Sequence, residues 1–170
     1  MTPSILHATT VAVFRDGGWA GVLIRGASGA GKSDLALRLL ATGWRLVADD
    51  RTVAWASGGR LWSRAPRTLS GLIEARGLGI ASTASLDLAP IMLAVRLFDR
   101  DETLERMPEQ SFTDILEIPL PEVRIFAMQA SAAAKVAVAL SVLESRSSTG
   151  VSSGRAGLRR PVGGRFKVKA

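Results

Sequence analysis

Cysteine is absent from all 170 residues, so neither a disulfide framework nor a thiolate metal site can form, and a reducing compartment suits the chain. The opening Met1-Thr2-Pro3-Ser4-Ile5-Leu6-His7 lacks a basic region followed by a sustained apolar one, so no secretion signal is expected. A strongly apolar run of membrane-spanning length, about 20 residues, is missing as well. The nearest candidate, Phe126 to Leu143, is alanine-rich with Lys135 in its middle and reads as a packed helix. A cytoplasmic protein is the expectation. No internal repeat is visible, and histidine occurs once, as His7. A lone imidazole at a strand start is more often structural, yet it can serve as an acid, a base or a phosphate contact.

Acidic residues are lacking from the last stretch of the chain. The net charge is +7 and the isoelectric point near 11.2, which invites a nucleic-acid reading. Seven of the 22 basic residues, Arg146, Arg155, Arg159, Arg160, Arg165, Lys167 and Lys169, account for the whole excess. Residues 1–145 are left neutral, with 15 basic and 15 acidic side chains. A Ser/Gly/Arg tail with few large apolar groups cannot offset its ordering entropy by burial. The chain therefore divides into a domain over 1–145 and a basic, disordered, solvated tail over 146–170, and no nucleic-acid partner is expected.

What the sequence does contain is organised around Gly26-Ala27-Ser28-Gly29-Ala30-Gly31-Lys32-Ser33. It follows the apolar run Gly21-Val22-Leu23-Ile24 and precedes Asp34-Leu35-Ala36-Leu37-Arg38-Leu39-Leu40. This is G-x-x-x-x-G-K-[ST], the phosphate-binding P-loop, between the strand and the helix that it requires. Glycines let the backbone wrap a polyphosphate with its N–H groups, and the helix N-terminus adds partial positive charge. Lys32 is placed to reach the β and γ phosphates of a bound nucleotide, and Ser33 to offer its hydroxyl to Mg²⁺.

Around the loop, His7–Phe14 and Trp19–Arg25 read as a hairpin across Asp16-Gly17-Gly18. A helix follows over 32–42 with Gly43 as its terminator. Arg45–Ala48 reads as a short strand lying beside the P-loop strand. Thr52–Ala56 and Arg60–Ser63 form a second hairpin across Ser57-Gly58-Gly59. The spacing of Leu69, Leu72 and Ile73 predicts a helix over Pro66–Ala75, followed by turn-rich residues 76–80. Ile91–Phe98, interrupted only by Arg96, predicts a strand buried on both faces or nearly so. Asp99–Arg106 is charged and expected to be exposed. Ile115–Ile118 and Glu122–Ile125 are short strand candidates, and a helix is expected over Phe126–Glu144. The fold class is α/β, a P-loop nucleotide-binding core with β-hairpin additions.

A P-loop needs a carboxylate opposite the Ser33 hydroxyl to hold Mg²⁺ and its waters. Two strand ends offer one, Asp49-Asp50 and Asp99. The first is preferred, because an adjacent pair suits two tasks, one carboxylate near the metal and the other free to take a proton from an attacking hydroxyl. A solvated strand end is the bland alternative. Glu74-Ala75-Arg76-Gly77-Leu78-Gly79-Ile80 places a carboxylate and a guanidinium beside two glycines, fit for a metal ligand and an anion clamp, although a helix end with a terminal glycine looks the same.

Together these residues resemble the bifunctional HPr kinase/phosphorylases of bacterial sugar-phosphotransferase regulation. The resemblance rests on His7, on Gly26 to Ser33 followed by Asp34, on Arg45-Leu46-Val47-Ala48-Asp49-Asp50-Arg51 and on Ile73 to Ile80, in the family's order across residues 5–145. It implies a P-loop core shaped like phosphoenolpyruvate carboxykinases and assembled as a hexamer. It also implies ATP-dependent phosphorylation of a serine on HPr or a paralogous phosphocarrier protein, with phosphate-driven reversal. In that family's terms Lys32 binds the β and γ phosphates and Ser33 and Glu74 hold Mg²⁺. Asp50 exchanges the serine proton with Asp49 in support, His7 lines the phosphate site, and Arg106 stands near the transferred phosphate. Longer members carry a separate N-terminal domain before this region. The family's Pro-x-Arg-Pro-Gly-Arg-Asn loop, tied to dephosphorylation, has only Pro119-Leu120-Pro121-Glu122-Val123-Arg124 as its nearest counterpart. The competing readings are an ATP-sensing regulatory module with little turnover and a P-loop small-molecule kinase.

Overall fold

The computed structural model describes residues 2–98 and 108–148. Asp99, Arg106 and the basic stretch beyond Ser148 lie outside the described residues, as does the Arg146 side chain.

Strands β1 (Ser4–Arg15) and β2 (Gly18–Arg25) pair antiparallel, closing at Arg15↔Gly18. The two turn residues, Asp16 (φ 48°) and Gly17 (φ 80°), are both left-handed, as a two-residue hairpin matching the strand twist requires. Strands β3 (Arg45–Ala48) and β4 (Arg51–Ser57) share the other edge of β1. β3 lies against Thr10–Ala12 and β4 against Ser4–His7. Asp49 and Asp50 thus occupy the corner between two strands that both pair with β1. This corrects the expectation that β3 adjoins the P-loop strand, since β1 stands between them. A strand has two edges, and those of β2 are taken by β1 and by β8 (Ala89–Leu97).

β4 and β5 (Arg60–Arg64) form the expected second hairpin, with Trp55 opposite Trp62. β8 runs parallel to β2 along one edge. Its other edge meets β5 over Ala89–Ile91 and β10 (Ile118–Ile125) over Ala94–Leu97. The pairings β2–β1–β4–β5–β8–β2 therefore close into a ring. Closure brings the backbones close at Gly21, where a Cβ would stand 2.5 Å from the Pro90 carbonyl oxygen.

Two sequence expectations change here. The helix over Pro66–Ala75 is absent, and only the 3₁₀ turn Arg67–Leu69 forms. Gly71 (φ 74°) then turns the chain into β6 (Leu72–Ala75), which pairs with β7 (Gly79–Ser82) as a separate two-stranded sheet. The helical spacing of Leu69 and Ile73 loses to a left-handed glycine and to burial of Ile73 in the main core. The strand expected over Ile115–Ile118 is instead the left-handed turn Leu116-Glu117, joining β9 (Ser111–Ile115) to β10. Pro119 and Pro121 share one parity along β10, opposite the alternating hydrogen-bonded pairs, so their missing N–H groups face the edge that β8 reaches only from Glu122.

Helices α1 (Lys32–Leu40) and α2 (Ala132–Ser148) cover one face of the sheet. α2 starts six residues later than expected because residues 126–132 spend their hydrogen bonds on turns. On the helix face, Val22, Ile24, Leu93, Val95 and Leu97 pack with Leu35, Leu39, Val136 and Leu140. Leu23 and Ala94, one residue out of phase, join Ala8, Leu61 and Leu120 in a second cluster. No helix among the described residues is long and apolar enough to cross a membrane.

Candidate functional site

The glycine loop joins the C-terminal end of β2 to α1. Gly31 occupies the N-cap position at φ 92°, and no side chain caps the helix. The first-turn amides are therefore free of side-chain acceptors and form a ready anion site. A residue with a side chain at Gly31 would be strained, and its Cβ would press within 3.0 Å of the Ala127 Cβ. At Gly26 an added Cβ would meet the Leu97 Cβ at 3.0 Å. Lys32, nearly buried, turns back over the loop, donating to the carbonyls of Gly26 (3.2 Å) and Ala27 (3.0 Å) and lying 3.1 Å from His7 Nε2.

The β3–β4 corner faces this loop. Asp49 is buried and accepts three hydrogen bonds. These come from the Thr9 hydroxyl (2.7 Å) and the Ser33 hydroxyl (2.8 Å), both on Oδ1, and from the Glu74 amide (3.0 Å) on Oδ2. One carboxylate therefore ties β1, α1 and β6 together. A buried carboxylate is tolerable only with such a complement of donors.

Asp50 is the opposite case. Its side chain is 62% exposed, and its Oδ1 lies 3.1 Å from His7 Nδ1. Its backbone sits at φ 60°, a left-handed conformation costing about 1–2 kcal/mol in a residue with a side chain. The Ala8 amide donates to its carbonyl (3.1 Å) and its own amide donates to Thr9 Oγ1 (3.4 Å), which holds the corner in place. The chain of contacts runs from Asp50 through His7 to Lys32.

The structure thus brings together His7, Lys32, Ser33, Asp49 and Asp50 from the expected set. Glu74 contributes its amide to the cluster, while the residue itself is exposed on β6. Among the described residues no group of three acidic or histidine side chains stands ready as a metal cage. The donors at hand are a hydroxyl and carboxylates, the hard oxygen set that suits Mg²⁺ when phosphates and waters complete the shell.

Two features escaped the sequence reading. Thr9 is fully buried and contacts both aspartates. Its signal was a polar residue two positions from His7, hence on the same face of a strand. The other is a cavity of about 610 Å³ beside the loop, lined by His7, Arg25, Gly26, Ala27, Arg96, Phe98, Thr113 and Glu122 among others. Arg96 had shown itself only as a break in an apolar run.

Comparison with known proteins bears on the family and the fold. The family model described as HPr Serine kinase C-terminal domain matches residues 2–155. An HPr kinase/phosphorylase of Streptococcus thermophilus is 39% identical over 116 residues, which are 62% of this chain and 38% of that protein. One from Clostridium tetani is 35% identical over 130 residues, 71% of this chain and 41% of that protein. The chain therefore spans about two fifths of the length of these curated relatives. The solved structure of the HPr(Ser) kinase/phosphatase from Coxiella burnetii superposes with a TM-score of 0.72 at 23% identity, covering 86% of this chain and 99% of that one. Its mixed α/β fold is the fold found here.

Proposed function

Since the chain belongs to the family of HPr serine kinase C-terminal domains, we propose that it is an ATP- and Mg²⁺-dependent protein-serine kinase acting on HPr or a related phosphocarrier. The observation that carries this reading is the contrast within the aspartate pair. Asp49 has its acceptor capacity committed to three donors, whereas Asp50 presents an exposed carboxylate beside His7, 3.1 Å away, at the mouth of the loop that holds Lys32.

In this reading Gly26–Ser33 is a P-loop in a core of phosphoenolpyruvate-carboxykinase shape. The uncapped amides of α1 cradle the polyphosphate. Lys32 exchanges its carbonyl partners for phosphate oxygens, gaining charge-assisted contacts in place of neutral ones. Ser33, whose proton goes to Asp49, keeps its lone pairs for the metal, with Glu74 completing the protein's share. When bound, Mg²⁺ neutralises charge on the phosphates. Asp50 takes the proton of the acceptor serine as the serine oxygen attacks the γ-phosphorus in line with the departing ADP. His7 keeps that carboxylate aimed while sensing Lys32 on its other nitrogen. Reversal would run through the same groups, with phosphate as the attacking species. A cytoplasmic, hexameric protein regulating the sugar phosphotransferase system fits the same reading, in which the resemblance gives Arg106 the part of an arginine near the transferred phosphate.

Incubation with Mg-ATP and purified HPr, followed by mass spectrometry, tests the assignment. The expected product is a single phosphoserine on HPr. ATP binding without transfer would leave the regulatory reading in its place.

A further inference from the structure

We propose that Arg25 and Arg96 form a second oxyanion subsite, adjoining the cradle of the glycine loop, that takes a phosphate dianion, free or as a phosphoserine-type monoester. The two residues are register partners on the adjacent parallel strands β2 and β8, so their side chains leave the same face about 4.8 Å apart at the backbone. Like charges directly opposite one another destabilise a sheet. Sequences tolerate such local conflicts chiefly where a function uses them.

The compensation available within the protein is incomplete. Glu122 reaches Arg25 at 3.8 Å, and Arg25 Nη1 donates to the Thr113 hydroxyl at 3.1 Å. No carboxylate among the described residues pairs with Arg96, which is exposed. Both arginines line the 610 Å³ cavity, whose walls include the loop residues Gly26, Ala27 and Ala30 together with Phe98 and His7. Arg124, the next register partner along this row, lies 5.5 Å from the centre of the Phe98 ring and extends the basic edge.

The chemistry favours a dianion. Among the described lining residues two guanidinium forks stand against one carboxylate, and guanidinium planes match the edges of a tetrahedral oxyanion with paired N–H donors. The uncapped amides and Lys32 serve the loop's own ligand, and Gly26, Ala27 and Ala30 of the loop border the cavity on that side. The subsite stands on the His7 side, where a group near Asp50 would enter.

The proposal stands apart from the kinase reading, and the test separates them. The whole 170-residue chain is loaded with Mg²⁺ and a non-hydrolysable ATP analogue, then titrated calorimetrically with inorganic phosphate and, in a second arm, with N-acetyl-phosphoserine amide. One or both should bind, and the tighter of the two names the source of the phosphate. R96Q, a change at an exposed residue, should weaken that binding about ten-fold or more, with R25Q acting in the same direction. Nucleotide affinity should stay within a few-fold. Absence of binding in the loaded wild-type chain, or equal binding in R96Q, would overturn the subsite. If the analogue itself fails to bind, the kinase reading falls. The titration is then run on K32A with and without R96Q, where dependence on Arg96 keeps the subsite and independence removes it.

Discussion

The Asp49–Asp50 corner and the Glu74–Ile80 hairpin both carry residues expected at the site, yet they are built in opposite ways. The corner is locked between β1, β3 and β4, with Thr9 buried beneath it, one carboxylate buried and the other exposed. The hairpin is a two-stranded sheet whose second strand is exposed throughout, with Leu78 92% and Ile80 69% exposed. Two strands alone are marginal in water, so the hairpin depends on what anchors its base. Ile73 in the core and the hydrogen bond from the Glu74 amide to Asp49 supply that anchor. Under the proposed function, the locked region would carry the chemistry that needs a fixed carboxylate, and the tethered one would offer a surface to the acceptor protein.

Breaking the corner's chemistry without its shape has the largest expected effect. D50N keeps a residue type that accepts the left-handed backbone and removes only the charge. Transfer to HPr should fall by about 10²–10⁴-fold in kcat, with nucleotide affinity within a few-fold, as for loss of a group acting in the chemical step. Steady-state kinetics beside a nucleotide titration checks this, and near-native turnover would remove Asp50 from the role of base.

Next comes the joint between the regions. D49A leaves the Thr9 and Ser33 hydroxyls and the Glu74 amide without their acceptor, and should release the hairpin as well as destabilise the body. Hydrogen exchange at the Glu74 amide should accelerate more than at amides of β8. Uniform acceleration would mean that the two regions unfold as one.

A smaller loss is expected from T9V, which removes one buried hydroxyl and keeps the β-branched shape. The cost should be about 1–3 kcal/mol in a denaturant titration, because Asp49 loses a donor in a buried setting. A loss of activity larger than the loss of stability would mark Thr9 as positioning the aspartates.

The smallest effect belongs to the hairpin tip. L78S with I80S touches exposed side chains and should move stability by no more than about 0.5 kcal/mol. If the tip meets the acceptor protein, KM for HPr rises while ATP affinity holds. An unchanged KM would deny the tip that role.

Much of this was readable from residue order because the devices are local. Asp-Gly and Gly-Gly turns demand left-handed backbone, and an octapeptide with its flanks demands a strand, a loop and a helix. The misreadings came where two periodicities competed. Leu69, Leu72 and Ile73 fit a helix on paper, but Gly71 at φ 74° and pairing with β7 made a strand. Ile115–Ile118 is apolar enough for a strand and became a turn because β9 and β10 pair through it.

The 170 residues on their own establish the loop, its lysine and serine, the aspartate pair and the family resemblance, since each is written in contiguous residues whose chemistry depends on spacing along the chain. Tertiary structure alone decided which aspartate is buried as a joint and which is exposed beside His7, that Thr9 serves both, and that Arg25 and Arg96 face one cavity. These are relations across strand edges between residues as many as 71 positions apart, as at Arg25↔Arg96, and strand register is set by packing of the whole sheet rather than by any local run.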